Sequence, residues 1–398
     1  MSTRFNLLAP DIRPNPYPLY AELRRNRPVC QVDPGGMWAV TRYADVMTVM
    51  KNPQLFSSEG FRNALKPAWL GHNPFADSML GMDPPNHTRL RALVNRAFGP
   101  PVIARWEPRV RAYAEQFASR IPAGRTVDFI EAFSSPLPAS VIGELLGLDT
   151  SLQPRFKRWA DDLTSITGTA PDDLAKQAQI RDTVAEFERY VSEVLELRRR
   201  EPREDMVSDL LRAQVDGGEA LSEVEVRNFL FLLMVAGLET TVHLLNHAVR
   251  LLAEHPELLA RVRADRSLIP RVIEEVLRYE TSVHSVPRHT TADTELGGVP
   301  LPKGTRVLVL LASASRDEEH FPGAERFDID RPGQHTLSFG HGIHFCLGAP
   351  LARLEARIGL EVLLERFAGF SRGAEPIIWN RSMTVRGPVV LPLRFDAA

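Results

Sequence analysis

The feature that most constrains the fold is a long segment, residues 221–256, whose middle is apolar on every side. It reads LSEVEVRNFLFLLMVAGLETTVHLLNHAVRLLAEHP, and Ser222 with Glu225 three residues later forms the capping box that begins many helices. From Phe229 to Leu238 the side chains are apolar all round, so a helix here has no solvated face. The segment therefore predicts one long helix that runs through the core of the protein.

The rest of the chain predicts a fold that is mainly α with small β sheets. Apolar residues at helical spacing continue over most of residues 87–217, with an interruption near Gly168 and Pro171. Strands are predicted on both sides of the turn DPGG at residues 33–36, around Gly297 and Gly298, and in the C-terminal tail. Residues 57–83 are predicted to be irregular, and a loop of that length is usually functional. No linker composition divides the chain, so we expect a single domain over residues 1–398.

Composition and charge exclude several classes of protein. The 398 residues are 44% hydrophobic and 25% charged, which is ordinary for a globular chain. Because 48 basic residues face 50 acidic ones, we expect neither nucleic acid nor an anionic membrane as a partner. No run of about 18 apolar residues and no signal-peptide core occur, and the two cysteines do not make a disulfide framework. We therefore predict a cytoplasmic protein.

One of the two cysteines lies in a loop rich in glycine, SFGHGIHFCLG, residues 338–348. An apolar helical stripe with Pro350 in its first turn follows, which places Cys346 at a helix N-terminus. The helix dipole there favours an anion, so a thiol whose ordinary pKa is about 8.5 shifts toward the thiolate. Gly340, Gly342 and Gly348 allow the backbone to come close to a large, flat partner. The loop is therefore predicted to present a thiolate to such a partner.

Three other interpretations of this loop stay open on the residues alone. In the first interpretation, Cys346 is an inert buried thiol. In the second, it is a catalytic nucleophile, which would need a base and an orienting partner. A zinc site is the third, with His335, His341, His344 and Cys346 as ligands, although their spacing fits no common zinc pattern.

The segment FGHGIHFCLGAPLAR resembles the haem-binding loop of the cytochrome P450 family, and three further segments match that family in order along the chain. The resemblance implies the P450 fold, with haem between the long core helix and the helix that follows the cysteine loop. It implies haem b (iron protoporphyrin IX) as the cofactor and the Cys346 thiolate as the metal ligand, which favours O–O cleavage. The loop residues that it implies in cofactor binding are Phe339, Gly340, His344, Cys346 and Gly348.

A second matching segment, AGLETT, places Glu239 and Thr240 in the apolar helix. A carboxylate inside a core is costly unless it is paired or functional, and an acid beside an alcohol suits proton transfer. The resemblance implies that Glu239 and Thr240 are catalytic and deliver protons to dioxygen. Two alternatives stay open: a paired glutamate at a helix bend, or a metal site of Glu239, His243 and His247 on one helix face.

The remaining two segments supply cations and a structural triad. His87 and Arg91 lie four residues apart on one helix face, and the resemblance implies that they bind the haem propionates together with Arg288 and His344. Charge-assisted hydrogen bonds suit those carboxylates.

Glu275 and Arg278 stand three apart in EEVLRYE, ordinarily a surface pair of little value. The resemblance implies instead a structural triad with Arg331.

The resemblance implies a monooxygenase that acts on a small organic molecule and O2, with electrons from a ferredoxin and its NAD(P)H-dependent reductase. No flavin or iron–sulfur domain is visible in the sequence, and we expect a basic docking patch formed by Arg96, Arg105, Arg353 and Arg357. Alternatives are the atypical reactions of the family (nitration, ring closure or coupling), a non-catalytic haem sensor or carrier, and a zinc-dependent or metal-free enzyme.

The segments that correspond to the substrate-contacting parts of the family are mixed in polarity. They predict a medium-sized, mostly apolar substrate. The segments are residues 57–83, 164–169, 233–240, 283–286 and 382–385, with apolar Phe61, Trp69, Leu70, Val283, Val286 and Met383 and polar His284 and Ser285.

Overall fold

In a computed structural model, the long apolar segment forms one helix, Glu223–Glu254, as predicted. The capping box is present, since the Ser222 amide donates to Glu225 Oε2 (2.8 Å) and the Glu225 amide donates to Ser222 Oγ (3.3 Å). By length and composition this helix could cross a membrane, but 72% of its apolar window is buried within the protein. That burial is typical of the core helix of a globular protein.

The structure describes residues 4–95, 98–147, 152–166, 169–213, 220–333 and 336–397. Most of these residues are helical. The α-helices in chain order are α1 (Tyr17–Asn26), α2 (Tyr43–Lys51), α3 (Glu59–Ala64), α4 (Asn86–Asn95), α5 (Pro100–Ala104), α6 (Glu107–Ala118), α7 (Pro136–Leu145), α8 (Gln153–Ser165), α9 (Leu174–Arg200), α10 (Met206–Arg212), α11 (Glu223–Glu254), α12 (Pro256–Ala264), α13 (Ile269–Tyr279), α14 (Leu311–Ala314) and α15 (Ala349–Arg366).

Short strands make up small sheets. The strands are β1 (Phe5–Asn6), β2 (Val29–Asp33), β3 (Met37–Val40), β4 (Phe56–Ser57), β5 (Thr126–Asp128), β6 (Val286–Thr290), β7 (Thr294–Leu296), β8 (Val299–Leu301), β9 (Arg306–Val309), β10 (Phe367–Arg372), β11 (Ile378–Trp379), β12 (Pro388–Val390) and β13 (Pro392–Ala397). A mixed sheet has the order β1-β2-β3-β9-β6-β4, a second has the order β10-β13-β5, and β7-β8 and β11-β12 are hairpins. The strands predicted around DPGG are confirmed and pair as the hairpin β2-β3, and the strands predicted around Gly297 and Gly298 are confirmed and pair as β7-β8.

The largest of these sheets is buried on both faces. Val307 and Val309 of β9 pack into one apolar cluster, and the alternate residues Leu308 and Leu310 pack into another. Successive strand residues point to opposite faces, so β9 lies at the centre of two layers of core.

The described residues fall into two compact units. The first comprises Met1–Ser57, Ala114–Ser134 and Thr240–Ala398 and contains all the strands named above. The second comprises Ser58–Tyr113 and Ser135–Glu239 and is helical.

Three predictions of local structure were wrong in part. Residues 57–83 are not wholly irregular, because α3 and a 3₁₀ turn at Met79–Gly81 form there; both are too short for a periodic signal. Leu311–Ala314 forms a helical turn instead of a strand, since a run buried on every side has no diagnostic period. In the tail the strand is interrupted between Trp379 and Pro388. Gly168, predicted to interrupt the helices, lies outside the described residues.

Candidate active site

The cysteine loop has the backbone that its glycines predict. Gly340 and Gly342 have φ values of 73° and 70°, a region that other residues rarely adopt. A Cβ on Gly342 would also lie 2.6 Å from the carbonyl oxygen of Met50. The Cys346 amide donates to the Phe339 carbonyl (2.8 Å), so the loop folds back on itself just before α15 begins.

The loop is fastened to two helices of the same unit. The Ser338 hydroxyl donates to the carbonyl of Leu277 in α13. The Arg353 guanidinium of α15 lies 4.5 Å from the centroid of the Phe339 ring, a cation–π contact. Cys346 is half-buried and forms no disulfide, and it precedes the first residue of α15 by three positions. The loop therefore holds an accessible thiol at the positive end of a helix dipole.

These features fit a haem ligand. The Cys346 side chain is half-buried and forms no disulfide, and nothing lies within 4 Å of a Cβ placed on Gly348. His341 and His344 lie in the same loop, but no group of three or more possible metal ligands forms among the residues that the structure describes. His335, the remaining member of the alternative zinc site, lies outside those residues.

The predicted propionate-binding cations lie on three elements. His87 is 1% exposed and Arg91 is half-buried, one turn apart on α4. Arg288 is half-buried on β6, where its Nη1 donates to the Pro287 carbonyl (2.7 Å). His344 ends the 3₁₀ turn of the cysteine loop.

Glu239 and Thr240 lie in α11 as predicted, and both are half-buried. Ala236 is exposed, whereas each residue from Thr241 to Arg250 is buried. A Cβ on Gly237 would meet Ile142 Cδ1 at 2.6 Å, so close packing at this turn requires glycine. The acid and the alcohol are thus accessible within a helix that is otherwise mostly core.

The metal site formed by Glu239, His243 and His247 is not supported. His247 is 0% exposed, and its Nε2 lies 3.1 Å from the carbonyl oxygen of Arg386. Burial lowers the pKa of His247 to about 3. This histidine is therefore a neutral core residue.

A buried ionic cluster surrounds His247. Glu280 Oε2 accepts from Arg386 Nη1 (2.6 Å), and Arg250 and Arg316 approach the other oxygen at 3.4 and 3.5 Å. Although burial alone would raise it, Arg386 and Arg250 hold the pKa of Glu280 well below its usual value. The carboxylate therefore stays ionised and ties several elements of the first unit together.

Two predicted polar contacts to substrate were wrong. His284 and Ser285 are both 0% exposed; His284 Nδ1 lies 3.2 Å from the Tyr20 hydroxyl, and Ser285 Oγ donates to the Met383 carbonyl (2.9 Å). Both side chains are fully enclosed by the protein, so neither is available to a ligand. Val283 and Val286 stay half-buried, which makes this part of the predicted substrate surface apolar.

Of the other predicted substrate contacts, Leu70 is buried and Trp69 and Met383 are half-buried. The Phe61 side chain lies outside what the structure describes.

A cavity in the second unit carries polar atoms that sequence reasoning missed. Ser78 (2% exposed) and Asn228 (7% exposed) line it, and neither Ser78 Oγ nor Asn228 Oδ1 has a hydrogen-bond partner. The Asn228 amide nitrogen donates to the Asp77 carbonyl (3.2 Å), whereas its oxygen stays unpaired. Such groups are costly when unpaired, so a water or another hydrogen-bond donor suits this cavity.

Glu355 was also missed by sequence reasoning, although a signal was present. It is 1% exposed on α15, and its Oε2 has no hydrogen-bond partner. Burial raises the pKa of Glu355 to about 8. Leu351, Ile358 and Val362 are buried on the same helix face, and that spacing alone places Glu355 in the core.

Of the arginines predicted to form the ferredoxin-docking patch, two are paired with acidic side chains. Arg353 pairs with Glu274 (2.6 and 3.0 Å) and Arg357 with Glu361 (2.9 Å). Arg105 is exposed on the surface of the second unit, and Arg96 lies outside the described residues.

Comparison with known proteins gives matches along nearly the whole chain. A sequence model of the family Cytochrome P450 matches residues 29–389. The chain is 36% identical to 6-deoxyerythronolide B hydroxylase of Saccharopolyspora erythraea, with 96% of each chain covered. Among solved structures, cytochrome P450 CYP109Q5 from Chondromyces apiculatus is 43% identical, with a TM-score of 0.92 and 100% of each chain covered. CYP109E1 from Bacillus megaterium, in complex with testosterone, is 34% identical, with a TM-score of 0.86, 96% of this chain and 98% of that chain covered.

Proposed function

The chain belongs to the cytochrome P450 family of monooxygenases, and we propose that it oxidises a medium-sized, mostly apolar organic molecule by hydroxylation or epoxidation. One atom of O2 enters the substrate and the other leaves as water, with the uptake of two electrons and two protons. The match over residues 29–389 supports one catalytic domain.

The Cys346 loop carries this proposal. Cys346 follows two glycines with positive φ and precedes the N-terminus of α15, and a half-buried thiol in that position suits a thiolate ligand. Cys346 would hold the iron of haem b, with Phe339, Gly340 and Gly348 around the ligand. His87, Arg91, Arg288 and His344 would bind the propionates. When bound, the haem supplies the activation and cleavage of O2, which a thiolate ligand favours.

Glu239 and Thr240 would deliver the protons. Both are half-buried on a turn of α11 where Ala236 is exposed, so their side chains have room to exchange protons. A hydroxyl donates and accepts at once, which lets Thr240 pass a proton from a carboxyl or a water toward the reacting oxygen.

The substrate is proposed to be a molecule of steroid or macrolide size. Val283 and Val286 offer half-buried apolar surface, whereas His284 and Ser285 are turned into the protein. The testosterone bound by CYP109E1 and the macrolide substrate named for the Saccharopolyspora hydroxylase are both mostly apolar with a few oxygens. A large apolar pocket with few polar contacts would accept this class.

The electrons are proposed to come from a ferredoxin and its NAD(P)H-dependent reductase in the cytoplasm. The exposed side chain of Arg105 and the arginines of α15 would attract an acidic partner.

Isotopically labelled dioxygen tests the reaction. Steroids and macrolides are first screened for binding to the purified, haem-loaded enzyme, by the change in haem absorption that marks conversion of the iron from low to high spin. Each compound that binds is then incubated with the enzyme, labelled O2, ferredoxin, reductase and NADPH. The proposal predicts one labelled oxygen atom per product and one in water. Consumption of NADPH with no oxygenated product from any binding compound would contradict it and favour a haem sensor or carrier.

A further inference from the structure

Ser282 connects the core helix to two segments of the same unit that are joined to each other by backbone hydrogen bonds. Its side chain is 6% exposed, and Oγ donates a hydrogen bond of 2.9 Å to the carbonyl oxygen of Thr240. A carbonyl inside a helix already accepts from the amide four residues later, and its second lone pair can accept another donor. Ser282 therefore adds a fixed anchor to the backbone of the residue proposed to deliver protons.

The backbone of Ser282 is held as firmly as its side chain. Its carbonyl accepts from the Arg386 amide (2.8 Å), the His284 amide donates to the Thr384 carbonyl (2.8 Å), and Val283 pairs with Val385 in an antiparallel bridge. We call residues 282–286 with 382–386 the strand pair. Val283, Val286 and Val385 are half-buried on it, so the strand pair supplies the apolar surface proposed to contact substrate.

The strand pair is tied to the core helix at a second place, two turns beyond Thr240. His247 lies 3.1 Å from the Arg386 carbonyl, and Glu280 pairs with Arg386 at 2.6 Å. All three side chains are buried, so the attachment lies in a region of low dielectric where its bonds are strong. Because Arg386 lies opposite Ser282 in this antiparallel pair, both attachments hold the same end of the strand pair. Val283 and Val385 are the next residues along, so displacement of either acts on the Ser282–Thr240 bond.

We propose that Ser282 is a positioning residue, which rests on the proposed function: it sets the backbone of Thr240 relative to the strand pair. A substrate that presses on Val283 or Val385 then shifts or restrains the turn that carries Thr240. Proton delivery is thereby matched to the presence of substrate. Ser282 touches neither substrate nor haem in this role and acts through the Thr240 carbonyl alone.

The test compares Ser282→Ala with a matched variant of the same chemistry. Ser134 Oγ lies 2.6 Å from Asn246 Oδ1, both residues are 0% exposed, and Asn246 lies on the same helix six residues beyond Thr240. Ser134→Ala therefore removes a buried serine bond to α11 without touching the strand pair. Ser282→Thr keeps the hydroxyl, and Thr240→Ala reports the proposed proton delivery itself.

Two measurements are made on the haem-loaded proteins: the ratio of peroxide to oxygenated product, and hydrogen exchange of a peptide that covers residues 240–247. Ser282→Ala should raise the peroxide ratio about threefold and speed exchange in this peptide. Ser134→Ala should leave the ratio unchanged, and Ser282→Thr should restore it.

The proposal is overturned if Ser282→Ala leaves the ratio unchanged while Thr240→Ala raises it, or if Ser134→Ala raises it equally. A Thr240→Ala variant with an unchanged ratio removes Thr240 from proton delivery, and the positioning role of Ser282 falls with it. An unchanged exchange rate in Ser282→Ala would show that the bond does not fix this turn, which also overturns the proposal.

Discussion

Arg278 donates two hydrogen bonds to the carboxylate of Glu275, from Nε to Oε2 at 2.8 Å and from Nη2 to Oε1 at 2.7 Å, and both side chains are buried. Arg331 Nε lies 3.6 Å from the same carboxylate, so the triad expected from the resemblance is confirmed. The remaining guanidinium nitrogen of Arg278, Nη1, donates to the carbonyls of Ser315 and Ala324. The pair thereby fastens the chain that leads into the cysteine loop to α13.

Removal of Arg278 should destabilise the protein strongly. Arg278→Ala leaves the Glu275 carboxylate buried without its main partner, a change that costs about 3–5 kcal/mol. The control is Arg200→Ala, because Arg200 pairs with Glu196 on α9 and both side chains are well exposed; its cost should be about 0–1 kcal/mol. Urea unfolding measures both, and equal costs would contradict the structural role of the buried pair.

Because Glu355 is buried, the free energy of unfolding of the protein is expected to fall as pH rises. Its pKa is raised by burial from 4.5 to about 8, so above pH 4.5 the unfolded chain loses this proton while the folded protein keeps it. Stability from this group is complete below about pH 4.5 and is lost as pH rises toward 8, by about 1.4 kcal/mol per unit.

The variant Glu355→Gln removes this dependence, because an amide does not ionise. The free energy of unfolding of the variant is compared with that of the wild type at each pH. As the pH rises from 5.5 to 7.5, this difference should change by about 2 kcal/mol in favour of the variant. Glu365→Gln, at an exposed position of the same helix, should show no such gain. A pH-independent difference for Glu355→Gln would show that the carboxyl ionises normally.

Much of this architecture could be predicted from sequence because the signals were local. The capping box and the all-round apolar stretch located α11, and the glycines with Pro350 located the turn before α15. The exposure of Glu239 could not be predicted, since it depends on which residues pack beside Ala236. His284 meets Tyr20, which is 264 positions away, and no local pattern reports that contact.

Gly387→Ala should destabilise the first unit through a close contact. A Cβ at this position would lie 2.0 Å from His243 Nδ1, and His243 is 4% exposed on the core helix, so it has little room to move. The expected loss is about 1–3 kcal/mol in the free energy of unfolding. Gly333→Ala serves as the control, because nothing lies within 4 Å of its Cβ. A loss of the same size in both variants would mean that the contact with His243 is not the cause.

Charge reversal at Arg105 should weaken ferredoxin binding more than charge reversal at Arg357. Arg357 is already paired with Glu361, whereas Arg105 is exposed, so Arg105→Glu should raise the KM for an acidic ferredoxin by about fivefold and Arg357→Glu by less. Steady-state reduction at low ionic strength measures both constants. Unchanged constants for both variants would remove these arginines from the docking surface.

The account depends most on the thiolate of Cys346 as the iron ligand. The direct measurement is the absorption spectrum of the reduced carbon monoxide complex, recorded for the haem-loaded wild type, for Cys346→Ser and for Cys30→Ser, the other half-buried cysteine. The wild type and Cys30→Ser should both show the red-shifted band of a thiolate-ligated haem, and Cys346→Ser should lose it. Persistence of that band in Cys346→Ser, or its absence from the wild type, would contradict the central claim.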